Sequence, residues 1–205
     1  HIITSNFTYA HDACAGDLND DGYMDVVGVS AGGQVKLWYQ SDEKSWLEQI
    51  VDTDFIGGRA VCVTDIDNDD DLDIIAASLG DSRKTVLYMN DGSNPVNWTP
   101  QLIDNLCGGH HVHAFDFEDD LDIDLLISAT EVGQIILWKN NGADPVHFEQ
   151  ELIAELESAG RALPCDFDED GDYDILGSGV LSNELSIWYN LGGSPISWSK
   201  TVITD

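Results

Sequence analysis

Apolar positions along this chain come in short runs bounded by acidic or glycine-containing stretches. Arg59-Ala-Val-Cys-Val-Thr-Asp65 leads into an acidic loop, Leu72-Asp-Ile-Ile-Ala-Ala-Ser78 leaves it, Val86-Leu-Tyr-Met89 ends at the turn signal Asn90-Asp-Gly-Ser93, and Trp98-Thr-Pro-Gln-Leu-Ile103 follows. The runs are rich in β-formers and too short for buried helices, so each predicts a strand. One stretch points elsewhere. Glu151-Leu-Ile-Ala-Glu-Leu-Glu157 has the rhythm of an amphipathic helix, but it stands in register with Gln49-Ile-Val51 and Gln101-Leu-Ile103, which predicts an outer strand and loop.

The same order of runs recurs along the chain. Asp17-Leu-Asn-Asp-Asp-Gly-Tyr-Met-Asp25 returns as Asp65–Asp73, Asp116–Asp124 and Asp166–Asp174, with starts 48, 51 and 50 residues apart. Aromatics keep the period at Trp38, Tyr88, Trp138 and Trp188, and again at Trp46, Trp98, Phe148 and Trp198; Pro95, Pro145 and Pro195 keep it in three of the four units. Four short strands in each of four repeats of about 50 residues predict an all-β fold, a β-propeller of four-stranded blades. The repeats fall at about 1–49, 50–100, 101–150 and 151–200, with a surplus outer-strand segment at 201–205. His1-Ile-Ile-Thr4 and Thr201-Val-Ile-Thr204 are the same piece of the repeat. The chain is therefore a single propeller domain, either a four-bladed ring or part of a larger or assembled one. The spare strand predicts head-to-tail self-association into a filament or ring. The start at His1 fits a processed or excised form.

Charge adds chemistry to this frame. There are 39 acidic residues against eight Lys and Arg, a formal charge of −31. Such a surface disfavours nucleic acid and anionic lipid, and no apolar run is long enough for a membrane span. The acidic loops hold 22 of those 39 acids in 36 residues. Each offers oxygen-bearing side chains at positions 1, 3, 5 and 9: Asp17, Asn19, Asp21, Asp25; Asp65, Asp67, Asp69, Asp73; Asp116, Glu118, Asp120, Asp124; Asp166, Asp168, Asp170, Asp174. Carboxylates at that spacing repel one another unless a cation lies between them. No His or Cys stands in any loop, so the expected ion is Ca²⁺, which takes about 6–8 oxygen ligands. Backbone carbonyls at position 7 (Tyr23, Asp71, Asp122, Asp172) are the expected main-chain donors. Position 12 is Gly28, Ala76, Ile127 or Gly177 in place of a bidentate Glu, which rejects an EF-hand. Position 6 needs a left-handed backbone; Gly22 and Gly171 suit it, Asp70 tolerates it and Leu121 does not. With Leu121 and the longer Glu118, the third of the four sites is expected to be the weakest.

Phe55-Ile-Gly-Gly-Arg-Ala-Val-Cys-Val-Thr-Asp-Ile-Asp67, then Asp71-Leu-Asp-Ile-Ile75, resembles the FG-GAP/VCBS repeat family, and Trp188-Tyr-Asn190 is similar to a strand of that family. The resemblance implies a calcium-loaded propeller from a secreted or cell-surface protein. It implies non-enzymatic binding, adhesion or assembly, with the chain itself or a cell-surface protein or carbohydrate as partner. The alternatives it carries are a carbohydrate-binding, lectin-like propeller and the propeller portion of a polysaccharide lyase.

Gly28-Val-Ser-Ala-Gly32 fits the nucleophile-elbow pattern, but its register places it at a hairpin and not at a strand-to-helix turn. His11, Arg59, His110 and, after a one-residue deletion, Arg161 each begin an inner strand. Such groups are expected to pair with neighbouring acidic loops; the functional reading is a cationic collar at the channel mouth, suited to an anionic sugar or carboxylate. His111 and His113 share a strand face, where a transition metal is conceivable. Cys14 and Cys62 are register-equivalent and read as buried thiols or a bridge, while Cys107 and Cys165 are not equivalent. Asn6-Phe-Thr8 and Asn97-Trp-Thr99 are glycosylation sequons.

Overall fold

The computed structural model describes residues 2–41, 45–105, 108–193 and 195–204. His1 and Cys107 lie outside them. The described residues form sixteen strands and no helix, arranged as four antiparallel four-stranded sheets in which every strand pairs with its neighbour in sequence. The first sheet is β1 (Ala10–Gly16), β2 (Asp25–Ser30), β3 (Gly32–Gln40) and β4 (Trp46–Ile56); the second is β5 (Gly58–Thr64), β6 (Asp73–Ser78), β7 (Thr85–Asn90) and β8 (Trp98–Asp104). The third is β9 (His111–Phe115), β10 (Asp124–Ala129), β11 (Gln134–Asn140) and β12 (Phe148–Glu155); the fourth is β13 (Ala159–Cys165), β14 (Asp174–Gly179), β15 (Glu184–Asn190) and β16 (Trp198–Thr204). These are the meander sheets of propeller blades, four in number as the repeats predict, and their bounds fall a few residues after those of the predicted units, so that β16 takes in the segment read as surplus.

Two compact units divide the chain, His1–Val112 and His113–Asp205, with the division inside β9. In the first, β5 packs against β1, β2 and β3, around a core that includes Leu37, Phe55, Ile74 and Tyr88. In the second, β13 packs against β10 and β11, around Leu126, Ile135, Leu137, Ile175 and Trp188. The recurring aromatics Trp38, Tyr88 and Trp188 are buried, as expected of core residues. Every residue of β6 and β10 is buried, which explains their unbroken apolar runs. The outer strands alternate instead, with Ile50, Leu102, Leu152 and Val202 facing outward.

Several local readings are decided by register. The helix-like stretch forms the end of β12, paired to β11, because sheet pairing overrides its local rhythm. Gly28–Gly32 spans the β2–β3 hairpin, so Ser30 stands on no elbow. The outer edge of the fourth sheet is filled by β16 of this same chain, whereas Ile2–Thr4 lies in no sheet.

Among the described pairings, the first strands β1, β5 and β13 carry an extra residue against their partner. It is His11 in β1, between the pairs Ala10↔Ser30 and Asp12↔Val29; Arg59 in β5; and Gly160 in β13. The expected equivalence of Arg161 with His11 and Arg59 is therefore corrected. No residue is deleted in β13; Gly160 takes the bulge, and Arg161 is the next residue, paired with Ser178.

Candidate metal centre

Each acidic loop links the first strand of a sheet to the second, and one set of hydrogen bonds builds it. The position-1 carboxylate reaches across the turn: Asp65 accepts from the N–H groups of Asp69 and Asp70 at 3.1 and 3.0 Å, and Asp17 and Asp116 do the same in their loops. Position 5 accepts from the position-7 N–H, at 2.9 to 3.1 Å across the four loops. To close so tightly, the chain is left-handed at position 6, with φ of 84° at Gly22, 74° at Asp70, 75° at Leu121 and 98° at Gly171. Leu121 thus adopts the conformation its side chain resists, at a cost of about 1–2 kcal/mol.

Position 9 anchors the loop to the sheet. Asp25, Asp73, Asp124 and Asp174 are at most 1% exposed and open β2, β6, β10 and β14. Each accepts two backbone N–H groups: Asp73 from Ile66 (3.1 Å) and Asn90 (2.7 Å), Asp124 from Phe117 (2.9 Å) and Asn140 (2.8 Å), Asp174 from Phe167 and Asn190 (both 2.8 Å), and Asp25 from Leu18 (3.0 Å) and Gln40 (2.8 Å). Burial outweighs these bonds and pushes the Asp73 carboxyl up to about 7 and that of Asp124 to about 6; Asp25 is raised for the same reason. Asp67 is raised by burial and by the charges of Asp69 and Asp65, and Asp168 by desolvation within its loop and by Asp170, Asp174 and Asp166.

The side chains converge in two of the four loops. One carboxylate oxygen from each of Asp65, Asp67 and Asp73 lies within 4.8 Å of the others, and so do those of Asp166, Asp168 and Asp174. In addition, Asp166 Oδ1 is buried without a hydrogen-bond donor. Crowded carboxylate oxygens, one of them without a donor, fit a hard cation, and all three ligating atoms in each set are oxygen. The first loop has Asn19 at position 3, its amide donating to Asp21 Oδ2 at 3.1 Å. In the third loop Glu118 is drawn away, its Oε1 2.6 Å from Lys139 Nζ. Asp120 there holds the Asp122 N–H.

Two features went unread in the sequence. The backbone is also left-handed at position 4, at Asp20, Asn68, Asp119 and Glu169. The prevalence of Asp and Asn at that position was the available signal. Asn90, Asn140 and Asn190 brace the loops from the ends of β7, β11 and β15: besides their N–H bonds to position 9, the Asn90 side chain donates to the carbonyls of Leu18 and Leu72, and that of Asn190 to Tyr173. Their spacing of 50 residues marks them as part of the repeat.

This nine-residue loop, set between the first two strands of a four-stranded blade, is the decisive part of the comparison with known proteins. Residues 17–76 match the FG-GAP-like repeat family. The matched stretch runs from the first acidic loop through β2–β5 and the second loop into β6. No curated protein matches the chain. No helix among the described residues is long and apolar enough to cross a membrane.

The basic residues depart from expectation. Arg59 does not pair with an acidic loop. Its Nη1 lies 2.8 Å from His11 Nδ1 and 3.4 Å from His11 Nε2, and its Nη2 lies 2.7 Å from His110 Nε2. The fourth expected member of the collar, Arg161, belongs to the second unit, where its charge and burial hold the His113 imidazole below its usual range, burial being the larger cause. Cys14, Cys62 and Cys165 are free thiols, and burial pushes the Cys62 thiol up.

Proposed function

We propose that the chain is an extracellular β-propeller module that binds Ca²⁺ in its acidic loops and serves as a non-enzymatic binding, adhesion or assembly unit. The observation that carries this reading is the convergence of Asp65, Asp67 and Asp73, and of Asp166, Asp168 and Asp174. These residues would hold the ion together with their loop's backbone. Calcium would supply the countercharge that lets 22 acids sit in four short turns, so its binding energy becomes folding energy. Four ions would lower the formal charge from −31 to −23. Modular sites of this type work at about 10⁻⁴–10⁻³ M calcium, which matches an extracellular medium. The lysines among the described residues support a non-catalytic role: Lys36, Lys84, Lys139 and Lys200 are each tied to a carboxylate.

Thermal melting after EDTA treatment, then with CaCl₂ or MgCl₂ restored, tests this reading. Calcium is expected to raise Tm by several degrees and magnesium by much less, because Mg²⁺ demands a tighter octahedral site. An unchanged Tm at millimolar calcium would rule the reading out.

A further inference from the structure

Among the described residues Arg59 touches no carboxylate, although the chain has 39 acids. Its partners are two imidazoles, His11 in β1 and His110, the residue just before β9. The backbone holds it in this position. Arg59 is the bulge residue of β5 and His11 that of β1, and a bulge re-aims a side chain out of the sheet pattern. Just before it, Gly57 has φ 76°, accepts from Leu79 N–H at 2.9 Å and donates to Ala31 O at 3.3 Å. A Cβ on Gly57 would collide with the Leu79 backbone, and one on Gly58 with the Ser30 carbonyl. The strand start is therefore clamped against two neighbouring hairpins, and the guanidinium is preorganised.

A guanidinium carries five N–H donors in a planar fork, and the imidazoles engage only part of it. The nearest acid in sequence to His11, Asp12, is already committed, accepting the N–H groups of Val61 (3.1 Å) and Ala13 (3.0 Å). His11 also borders a cleft of about 500 Å³ whose walls include Ile2, Thr4, Phe7, Ala13 and Trp38. That volume is within the range of small-molecule sites.

We propose that Arg59, flanked by His11 and His110, is a binding site for a small carboxylate ligand, with the carboxylate on the guanidinium fork and the body of the ligand in the cleft beside His11. Fork-to-carboxylate pairing is bidentate and charge-assisted, and lysine cannot reproduce it. The site is independent of the metal reading, because none of its three side chains belongs to an acidic loop.

The test is calorimetric titration of the full chain, in calcium and at about 0.15 M salt to screen the long-range negative field, with glucuronate and with benzoate. Glucose and benzyl alcohol serve as uncharged controls. Saturable binding of at least one acid, with neither control binding, is expected; which acid binds more tightly tells whether the cleft takes a hydroxylated or an apolar body. Arg59→Lys is expected to weaken binding at least about tenfold, and Lys200→Ala to leave it unchanged. The calcium-dependent Tm shift should persist in both variants, which separates failure here from failure of the calcium reading. Should Arg59→Lys fail to fold, His110→Gln gives the same readout. Absence of binding by both acids at millimolar concentration, equal binding of the uncharged controls, or undiminished affinity in the variant that folds would overturn the proposal.

Discussion

The third and fourth acidic loops begin from nearly the same frame and end in different electrostatic states. Both hang from a buried position-9 aspartate that accepts two backbone N–H groups at 2.8 to 2.9 Å. Both close through a left-handed residue at position 6. In the fourth loop Asp166, Asp168 and Asp174 bring oxygens together and leave Asp166 Oδ1 without a donor. In the third, one extra methylene lets Glu118 reach Lys139, and that lysine also holds Glu151 at 3.0 Å. An ammonium group from the neighbouring strand takes the side chain that a cation in the loop would use. The hydrogen-bonded frame specifies the turn; what stands at position 3, and what lies within its reach, specifies whether the turn can hold an ion.

The largest expected effect tests what the two loops share. Asp124→Ala strands two buried N–H groups and Asp174→Ala one buried and one part-buried, so each should cost about 3–5 kcal/mol in urea unfolding. If one is tolerated and the other is not, the frame is not common to both.

Next comes pH, in EDTA. Asp73 and Asp124 have folded-state values raised above the ordinary carboxylate value, to about 7 and about 6. The native state then holds more protons than the unfolded chain, so stability falls as pH rises from about 4 to about 7 and levels off above that. The rise at Asp73 corresponds to about 4 kcal/mol and that at Asp124 to about 3. With calcium the trend should reverse, since the ion binds only deprotonated carboxylates. Unfolding midpoints over this pH range, with and without calcium, check both signs.

Lys139→Met sharpens the contrast directly. Freeing Glu118 should tighten calcium uptake by the third loop, while loss of the partly exposed pair costs about 1 kcal/mol or less in metal-free protein. The smallest effect is Leu121→Gly. Its side chain is 76% exposed, so little packing is lost, and relief of the left-handed strain should stabilise the chain by about 0.5–1 kcal/mol in thermal melts.

Much of this was legible in the sequence because the repeat is written in side chains that act locally. The Asp17–Asp25 pattern and its copies mark the turns, and the requirement at position 6 singles out Leu121 from the sequence alone. The strand at Glu151–Glu155 was legible only through register, since its local rhythm is helical. What stayed hidden depends on reach between strands. Lys139 lies 21 residues from Glu118, and no local pattern brings them together. Arg59 was expected on an acidic loop, but the bulges at His11 and Arg59 turn both side chains toward one another; a bulge is a mismatch between two strands, and neither strand shows it alone. The same bulge at Gly160 displaced Arg161 from its expected place.

Calcium titration of EDTA-stripped protein by calorimetry, repeated on Asp67→Asn, Glu118→Gln and Asp168→Asn, tests the central claim most directly. The account predicts that the second and fourth loops fill first, that Asp67→Asn and Asp168→Asn each abolish one of these tighter sites, and that Glu118→Gln leaves both in place. Absence of calcium binding at millimolar concentration, or tight sites untouched by Asp67→Asn and Asp168→Asn, would contradict it.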